Sequence, residues 1–451
     1  MLRTGSLAVL TGLAICWSAP AEAECPPRCD LASLIELAES AGPGIDAAEA
    51  RVTEAEAVRS EAYAAPLDLG SASVSASPAA THSGDPAHSE GTDESFSSEM
   101  GLLFGLRIEV GLVLTPWWRI ATYWRASRAA VELSRGELER TRAETRLAVE
   151  RAYRDAQVAV ASAELLRLAQ RALRQELARI ETALAMDLAG ASEQDRLRLL
   201  IDQTGLDARR VQVRRDRHVA LARLRRLSGL QHGVRIEIDE LGQEVPPPPP
   251  LDWCLEAARL NRPEVRMTFA GIRATEALVS ARQSEFVPDL AIGAYYAYRT
   301  IPVSDDQMTS FAHDPWNGAG FGYGLVYQWE LGIGARVARL RQARADVEAA
   351  RAMRRFALGG VAYEVEDAHA RATEDAATLE ARRQARDIAR SWLDRVRGEH
   401  ARREADADAL SDAFGMWMSQ ELAYVRALAR LHQGRAELAR ATGTVSTRED
   451  L

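Results

Sequence analysis

Gly101-Leu102-Leu103-Phe104-Gly105-Leu106-Arg107-Ile108-Glu109-Val110-Gly111-Leu112-Val113-Leu114 decides how the rest of the chain is read. Its even positions are Leu, Phe, Leu, Ile, Val, Leu and Leu, and its odd ones include Gly105, Arg107, Glu109 and Gly111, the period of two of a strand with one apolar face. Gly111-Leu112-Val113 returns as Gly324-Leu325-Val326, an offset of 213 residues. There Ala319, Phe321, Tyr323, Leu325, Tyr327 and Trp329 share one face, and Gly318, Gly320, Gly322, Gly324 and Gln328 the other. Leu290, Ile292, Ala294, Tyr296 and Tyr298 mark a third strand, and the Ser, Ala and Gly-rich run from Leu67 to Ser77 a fourth.

Each alternating pair is followed by a long stretch rich in Arg, Ala and Glu. The first ends Leu227-Ser228-Gly229 and the second Ala441-Thr442-Gly443, an offset of 214 residues. The chain is therefore a duplication, each copy reading strand, strand, long helix, turn, helix. Between Arg119 and Asp187 no Pro occurs and only Gly136 interrupts, which predicts a helix of about 100 Å at ~1.5 Å per residue. Ala159, Ala163, Leu166, Leu173, Leu177, Ile180 and Leu184 follow the 3 and 4 spacing of a coiled-coil seam. Strands are expected over about 67–78, 101–115, 289–300 and 318–331, and helices over about 119–187, 193–228, 335–400 and 409–441. The first repeat covers 24–229 and the second 253–443, joined by a linker at 230–252 and followed by a tail at 444–451. In the linker, Val234 to Ile238 looks strand-like, and five prolines after Val245 predict a stiff extended connection on the outside.

Residues 1–23 read as an export signal: Arg3, an apolar run from Leu7 to Trp17, and Ala21-Glu22-Ala23 as a cleavage site. Cys25 and Cys29 have the spacing to close a small loop in an oxidising compartment, leaving Cys254 free. The net charge of -9 gives no reason to expect nucleic acid as a partner. The arginines from Arg209 to Arg226 read as the solvated face of a coiled coil, with acids on neighbouring helices to pair with them. All 56 basic residues are Arg. A GC-rich genome explains that bias without recourse to function.

After residue 23 no apolar run is long enough for a membrane-spanning helix, so membrane contact falls to the strands. Two readings compete for them: a soluble sandwich with a buried apolar face, or an outer-membrane barrel with that face in lipid. Strand length, export and aromatics near strand ends (Trp117, Trp118, Tyr298, Trp316, Trp329) favour the barrel, with polar loops at Thr81 to Glu99 and Ser304 to Asn317 outside. Four strands cannot close alone, because the smallest such barrels use about eight. The sheet edges then require pairing between chains.

At this point the residues resemble the TolC family of outer-membrane efflux proteins. The duplicated plan, Arg262-Pro263-Glu264-Val265-Arg266 opening the second half, Phe286-Val287-Pro288-Asp289-Leu290 entering a strand and the closing Ala-Thr-Gly carry the likeness over nearly all the mature chain. The resemblance implies a mainly α fold with a transmembrane β part. It implies a homotrimer sharing one barrel in outer-membrane lipid and one helical tunnel across the periplasm. It also implies a periplasmic adaptor and an inner-membrane transporter as partners. Carried over residue by residue, it makes Asp412, with Asp408 a turn earlier, the carboxylates of the periplasmic entrance. Gly190, Ser192 and Asp195 then form the adaptor-contacting tip. The second tip, with Asp406, departs from the motif because its Gly is missing. Three carboxylates around one narrow axis favour cations.

Catalytic chemistry is absent from the sequence: the eight histidines are scattered, and neither a phosphate loop nor a paired-Cys metal motif occurs. No enzyme, cofactor or metal is expected. The resulting expectation is a passive conduit of efflux or type I secretion; the alternative is an exported coiled-coil scaffold or adhesin whose strands form a soluble domain.

Overall fold

The computed structural model describes residues 30–64, 70–82, 96–114, 117–186, 192–231, 234–242, 245–302, 317–329, 332–402 and 407–444. The export signal, Cys25, Cys29, Gly190, Asp406, most of the two polar loops and the tail beyond 444 lie outside the described residues. Twelve elements follow in order: α1 (Leu31–Ala41), α2 (Pro43–Ala64), β1 (Gly70–His82), β2 (Phe96–Val113), α3 (Trp117–Ala185), α4 (Glu193–Leu227), α5 (Leu251–Asn261), α6 (Pro263–Ser284), β3 (Asp289–Thr300), β4 (Gly318–Gln328), α7 (Ile333–Ala401) and α8 (Ala407–Thr442).

Each half thus opens with two helices that the strand-strand-helix-turn-helix reading omits. In the first half Leu31, Leu34, Ile35 and Ala38 give α1 a buried stripe, and Gly42-Pro43 ends it and starts α2. In the second, Arg262-Pro263 separates α5 from α6. The linker is shorter than expected, since α5 begins at Leu251, and Val234 to Ile238 is extended but joins no sheet. Its backbone is satisfied by side chains instead. Arg225 Nε donates to Val234 O (3.2 Å), Gln157 Nε2 to Asp239 O (3.0 Å), and Asp239 N donates to the Tyr153 hydroxyl (3.1 Å), which in turn donates to Asp239 Oδ2 (3.0 Å). Farther on, His432 Nε2 meets Gly242 O at 3.0 Å and His369 Nε2 meets Pro249 O at 2.9 Å. The connection is a strap laid across α3, α8 and α7.

α3 and α7 each run 69 residues, about 100 Å at ~1.5 Å per residue. On the sheet side of the strap they are flanked by α2 and α6, in the packing order α2, α3, α6, α7; on the far side the order is α4, α3, α8, α7. The short helices therefore continue the four-helix layer where the return helices stop. The predicted seam of α3 is buried or half-buried throughout.

Two clusters mark the level where α4 and α8 end. Leu31, Leu34, Val149, Tyr153, Leu224 and Ile236 form one; Cys254, Val265, Val361, Val365 and Leu438 form the other, in which Cys254 is a buried free thiol. Both return helices close alike. Gly229 has φ 66° and Gly443 φ 68°, Leu230 N donates to Arg225 O (2.9 Å) and Thr444 N to Ala439 O (3.0 Å). This is the Schellman closure, which needs a left-handed residue and explains the repeated Ser-Gly and Thr-Gly.

The sheet is antiparallel in the order β1-β2-β3-β4. Its register aligns Ala72, Ile108, Tyr296 and Phe321 across all four strands, and likewise Gly70, Val110, Ala294 and Tyr323. One face is thus apolar from edge to edge. The other carries Ser71, Ser73, Ser75, Arg107, Glu109 and the β4 glycines, and Tyr295 lies over Gly322, where a Cβ would meet Tyr295 Cε1 at 2.4 Å. On this face Arg107 Nε pairs with Glu109 Oε1 at 2.5 Å. At the helical end, Arg119 donates to Ser284 O (2.7 Å) and pairs with Asp289, which ties the start of α3 to the start of β3.

Candidate functional site

The end of the molecule farthest from the sheet collects the sequence-predicted residues that are described. Ser192 caps α4 in a reciprocal capping box: Asp195 N donates to Ser192 Oγ (3.2 Å), and Ser192 N donates back to Asp195 Oδ2 (3.0 Å). Glu193 in the first turn accepts from Arg196 Nη2 at 2.7 Å, and that hydrogen bond holds its carboxyl below the usual range. Two acids in the first turn also suit the positive end of the helix dipole. Ser192 and Asp195 are therefore engaged with one another, Ser192 exposed and Asp195 half-buried.

Asp408 and Asp412 stand one turn apart on α8. The start of that helix is held against α7 by Leu393, Val396 and Ala413, with Leu410, Phe414 and Trp417 packed around them. Phe414 and Met418 also touch the cluster of Leu166, Ala169 and Leu206, so the same turns of α8 are wedged between both helix pairs. The structure brings the two aspartates to one cation. Arg198 Nη1 lies 2.8 Å from Asp408 Oδ2, and its Nη2 lies 3.6 Å from Asp412 Oδ1. Asp412 is the looser of the two, with its side chain 65% exposed.

Sequence reasoning missed Arg198. The signal was present, since Arg198 follows the first turn by about the same interval as Asp412 follows the second, but only the fold brings the two helix starts together. Among the described residues, no group of three or more His, Cys, Asp or Glu is placed to hold a metal ion, and no helix is long and apolar enough to cross a membrane.

What the other end of the molecule presents decides its environment. Val74 is 81% exposed, Phe321 70% and Tyr323 83%, all on the apolar face, and among the described residues no second sheet or helix packs along it. A sandwich would bury that face; lipid covers it without a partner. Residues 254–444 match the family model of the outer membrane efflux protein. The second repeat is thus similar to the outer membrane efflux proteins. That description states a location, the outer membrane, and a transport role, efflux.

Solved structures agree in fold over the whole body. The outer-membrane channel OprN aligns at TM-score 0.72 and 18% identity, covering 92% of this chain and 90% of that one. The Campylobacter jejuni CmeC outer membrane channel gives TM-score 0.74 at 13% identity, covering 92% and 85%. The open state of the Neisseria gonorrhoeae MtrE outer membrane channel gives 0.73 at 15%, covering 93% and 90%. No curated protein sequence matches the chain. The first half thus shares the fold of these channels although the family model matches only the second.

Proposed function

We propose that the chain is the outer-membrane channel of a tripartite efflux or type I secretion system, a trimeric conduit whose transport is driven by an inner-membrane partner. The observation that carries this is a four-stranded sheet, apolar and exposed on one face, polar on the other, with two open edges, at the end of helices about 100 Å long. Three such sheets close one barrel in outer-membrane lipid, with the Arg107–Glu109 face lining water. Nothing observed favours the scaffold or adhesin reading.

In this proposal the far tip is where a periplasmic adaptor docks, through the turn containing Gly190, Ser192 and Asp195 and the second turn containing Asp406. Asp408 and Asp412 belong to the entrance. Arg198 bridges them from the other repeat, which ties α4 to α8 and mutes the negative field that bare carboxylates would create. The entrance is then held narrow by a link that an incoming cation or partner can exchange.

Single-channel current of the mature chain in a planar bilayer tests the reading. Cation-selective steps, with open probability raised by Arg198→Ala and selectivity lowered by Asp412→Asn, are expected. A chain that is water-soluble without detergent and silent in the bilayer would contradict it.

A further inference from the structure

Every level of the molecule has two open edges, one contributed by each repeat. In the sheet they are β1 and β4; in the helical layer they are α2 and α4 on one side and α7 on the other. α4 and α7 do not pack together within the chain.

The two helical edges carry opposite charge. From Arg209 to Arg226, α4 has eight arginines against the single acid Asp216; from Glu364 to Glu380, α7 has six acids against the single base Arg371. Arg214, Arg217, Arg223 and Arg226 are exposed and make no ion pair among the described residues; the same holds for Glu366 and Glu374. Exposed charge of one sign along a helix edge invites a partner of the other.

The two stretches lie at the same height. Ala220 and Leu224 of α4 pack with Val149 and Tyr153 of α3, and the neighbouring Arg151 of α3 pairs with Glu437 of α8 at 2.5 Å. Glu437 in turn lies 3.8 Å from Arg371 of α7. From that level, moving towards the sheet reaches Arg226 on α4 and Glu366 on α7. Moving towards the tip reaches Arg217 and Glu374, then Arg214 and Glu380. Apolar side chains stand among these charges without cover: Val211 is 66% and Val219 56% exposed on α4, and Tyr363 is 69% exposed on α7. Apolar positions flanked by charge are the make-up of a coiled-coil seam.

The geometry points to a charge-matched seam between copies of this chain, with the arginine stripe of α4 in one chain set against Glu366, Glu374 and Glu380 of α7 in the next. It rests on the trimeric reading above and adds to it what directs assembly. Meeting α4 to α7 is a heterologous contact that closes a ring. A two-fold dimer would set α4 against α4 or α7 against α7, and like charge opposes both.

The test uses the full chain extracted in detergent, with the trimer fraction followed by native mass spectrometry at rising sodium chloride. Reversal of α4 by R217E/R223E/R226E is expected to weaken assembly at least about tenfold, as is E366R/E374R on α7, and the combination is expected to restore it. Salt is expected to weaken the wild-type trimer, since exposed pairs are screened. The neutral set R217Q/R223Q/R226Q, expected to assemble more weakly and lose the salt dependence, guards against a reversal that simply fails to fold. Full assembly by both reversals, or no restoration on combining two folded ones, would overturn the seam while leaving the trimer intact. A wild-type chain that is monomeric at every salt concentration would remove the trimer itself.

Discussion

The helix break that opens each repeat is built twice with different chemistry. Gly42-Pro43 separates α1 from α2, and Arg262-Pro263 separates α5 from α6; each lies against the glycine that closes its repeat. In the first half the break is bare backbone: a Cβ on Gly42 would meet Ala38 O at 2.2 Å and Leu227 O at 3.1 Å. In the second, Arg262 is 3% exposed and is held by Glu264 at 2.8 Å and Glu364 at 2.8 Å. Burial alone would raise the Glu264 carboxyl, but the hydrogen bond and charge of Arg262 outweigh it and hold the group below its usual range. The duplication has kept backbone geometry and exchanged close contact for an ion cluster. A fold can tolerate that exchange where the helix directions, and not the side chains, are what the neighbouring elements require.

The largest effect is expected where the cluster is broken. Arg262→Ala leaves Glu264 half-buried without its partner and is predicted to cost about 3 kcal/mol, read as a fall in the thermal unfolding midpoint of the detergent-solubilised protein. A loss below ~1 kcal/mol would mean the ion cluster is ornamental. Next come the closing glycines. Gly229→Ala is predicted to cost about 2 kcal/mol, because positive φ is compounded by a Cβ contact of 2.6 Å with Ala41 O. Gly443→Ala, with its nearest contact at 3.0 Å, is predicted to cost less, about 1 kcal/mol. The reverse order would show the second closure to be the tighter one.

Smaller effects belong to the strap, which covers the first cluster. Tyr153→Phe removes the bond to Asp239 and is predicted to cost about 1 kcal/mol. Burial raises the Tyr153 hydroxyl to about 12, so its contribution is full below the unfolded value of 10.0 and is lost as pH rises through about 12. His432 has the opposite sign. Burial, reinforced by Arg154, lowers it from 6.5 to about 4, so its contribution is present above 6.5 and is lost as pH falls through about 4. His432→Gln should flatten the acid limb of the stability profile in that window, and an unchanged limb would assign the acid sensitivity elsewhere.

The parts of this molecule that could be read from its sequence are those whose periodicity is their structure. Phe321, Tyr323, Leu325 and Tyr327 alternate because one face meets apolar surroundings, and the α3 seam repeats because a partner helix lies along it. α2 escaped notice because its face is drawn in alanine and glutamate, with only Ile45 and Ala48 buried, so no apolar stripe marks it. The strap was legible as an extended outer linker but its anchoring was not, because it is held by side chains from distant helices, Tyr153, Gln157, His369 and His432, donating to its backbone or side chains. At the tip, Ser192 and Asp195 stand three residues apart, the spacing at which a helix start forms a capping box. The Arg198 bridge joins two repeats, so the matching interval of Arg198 and Asp412 from their turns gains its meaning only in the fold.

The central claim is that the exposed apolar face of the sheet lies in lipid, and cysteine scanning of β4 in outer-membrane vesicles tests it directly. The account predicts a period of two. Phe321→Cys, Tyr323→Cys and Leu325→Cys should resist a charged thiol reagent and, once carrying a fluorophore, be quenched by brominated lipid. Gly320→Cys and Gly324→Cys should react with the reagent and escape quenching. Uniform reaction with the aqueous reagent along the strand, without lipid quenching at any position, would contradict it.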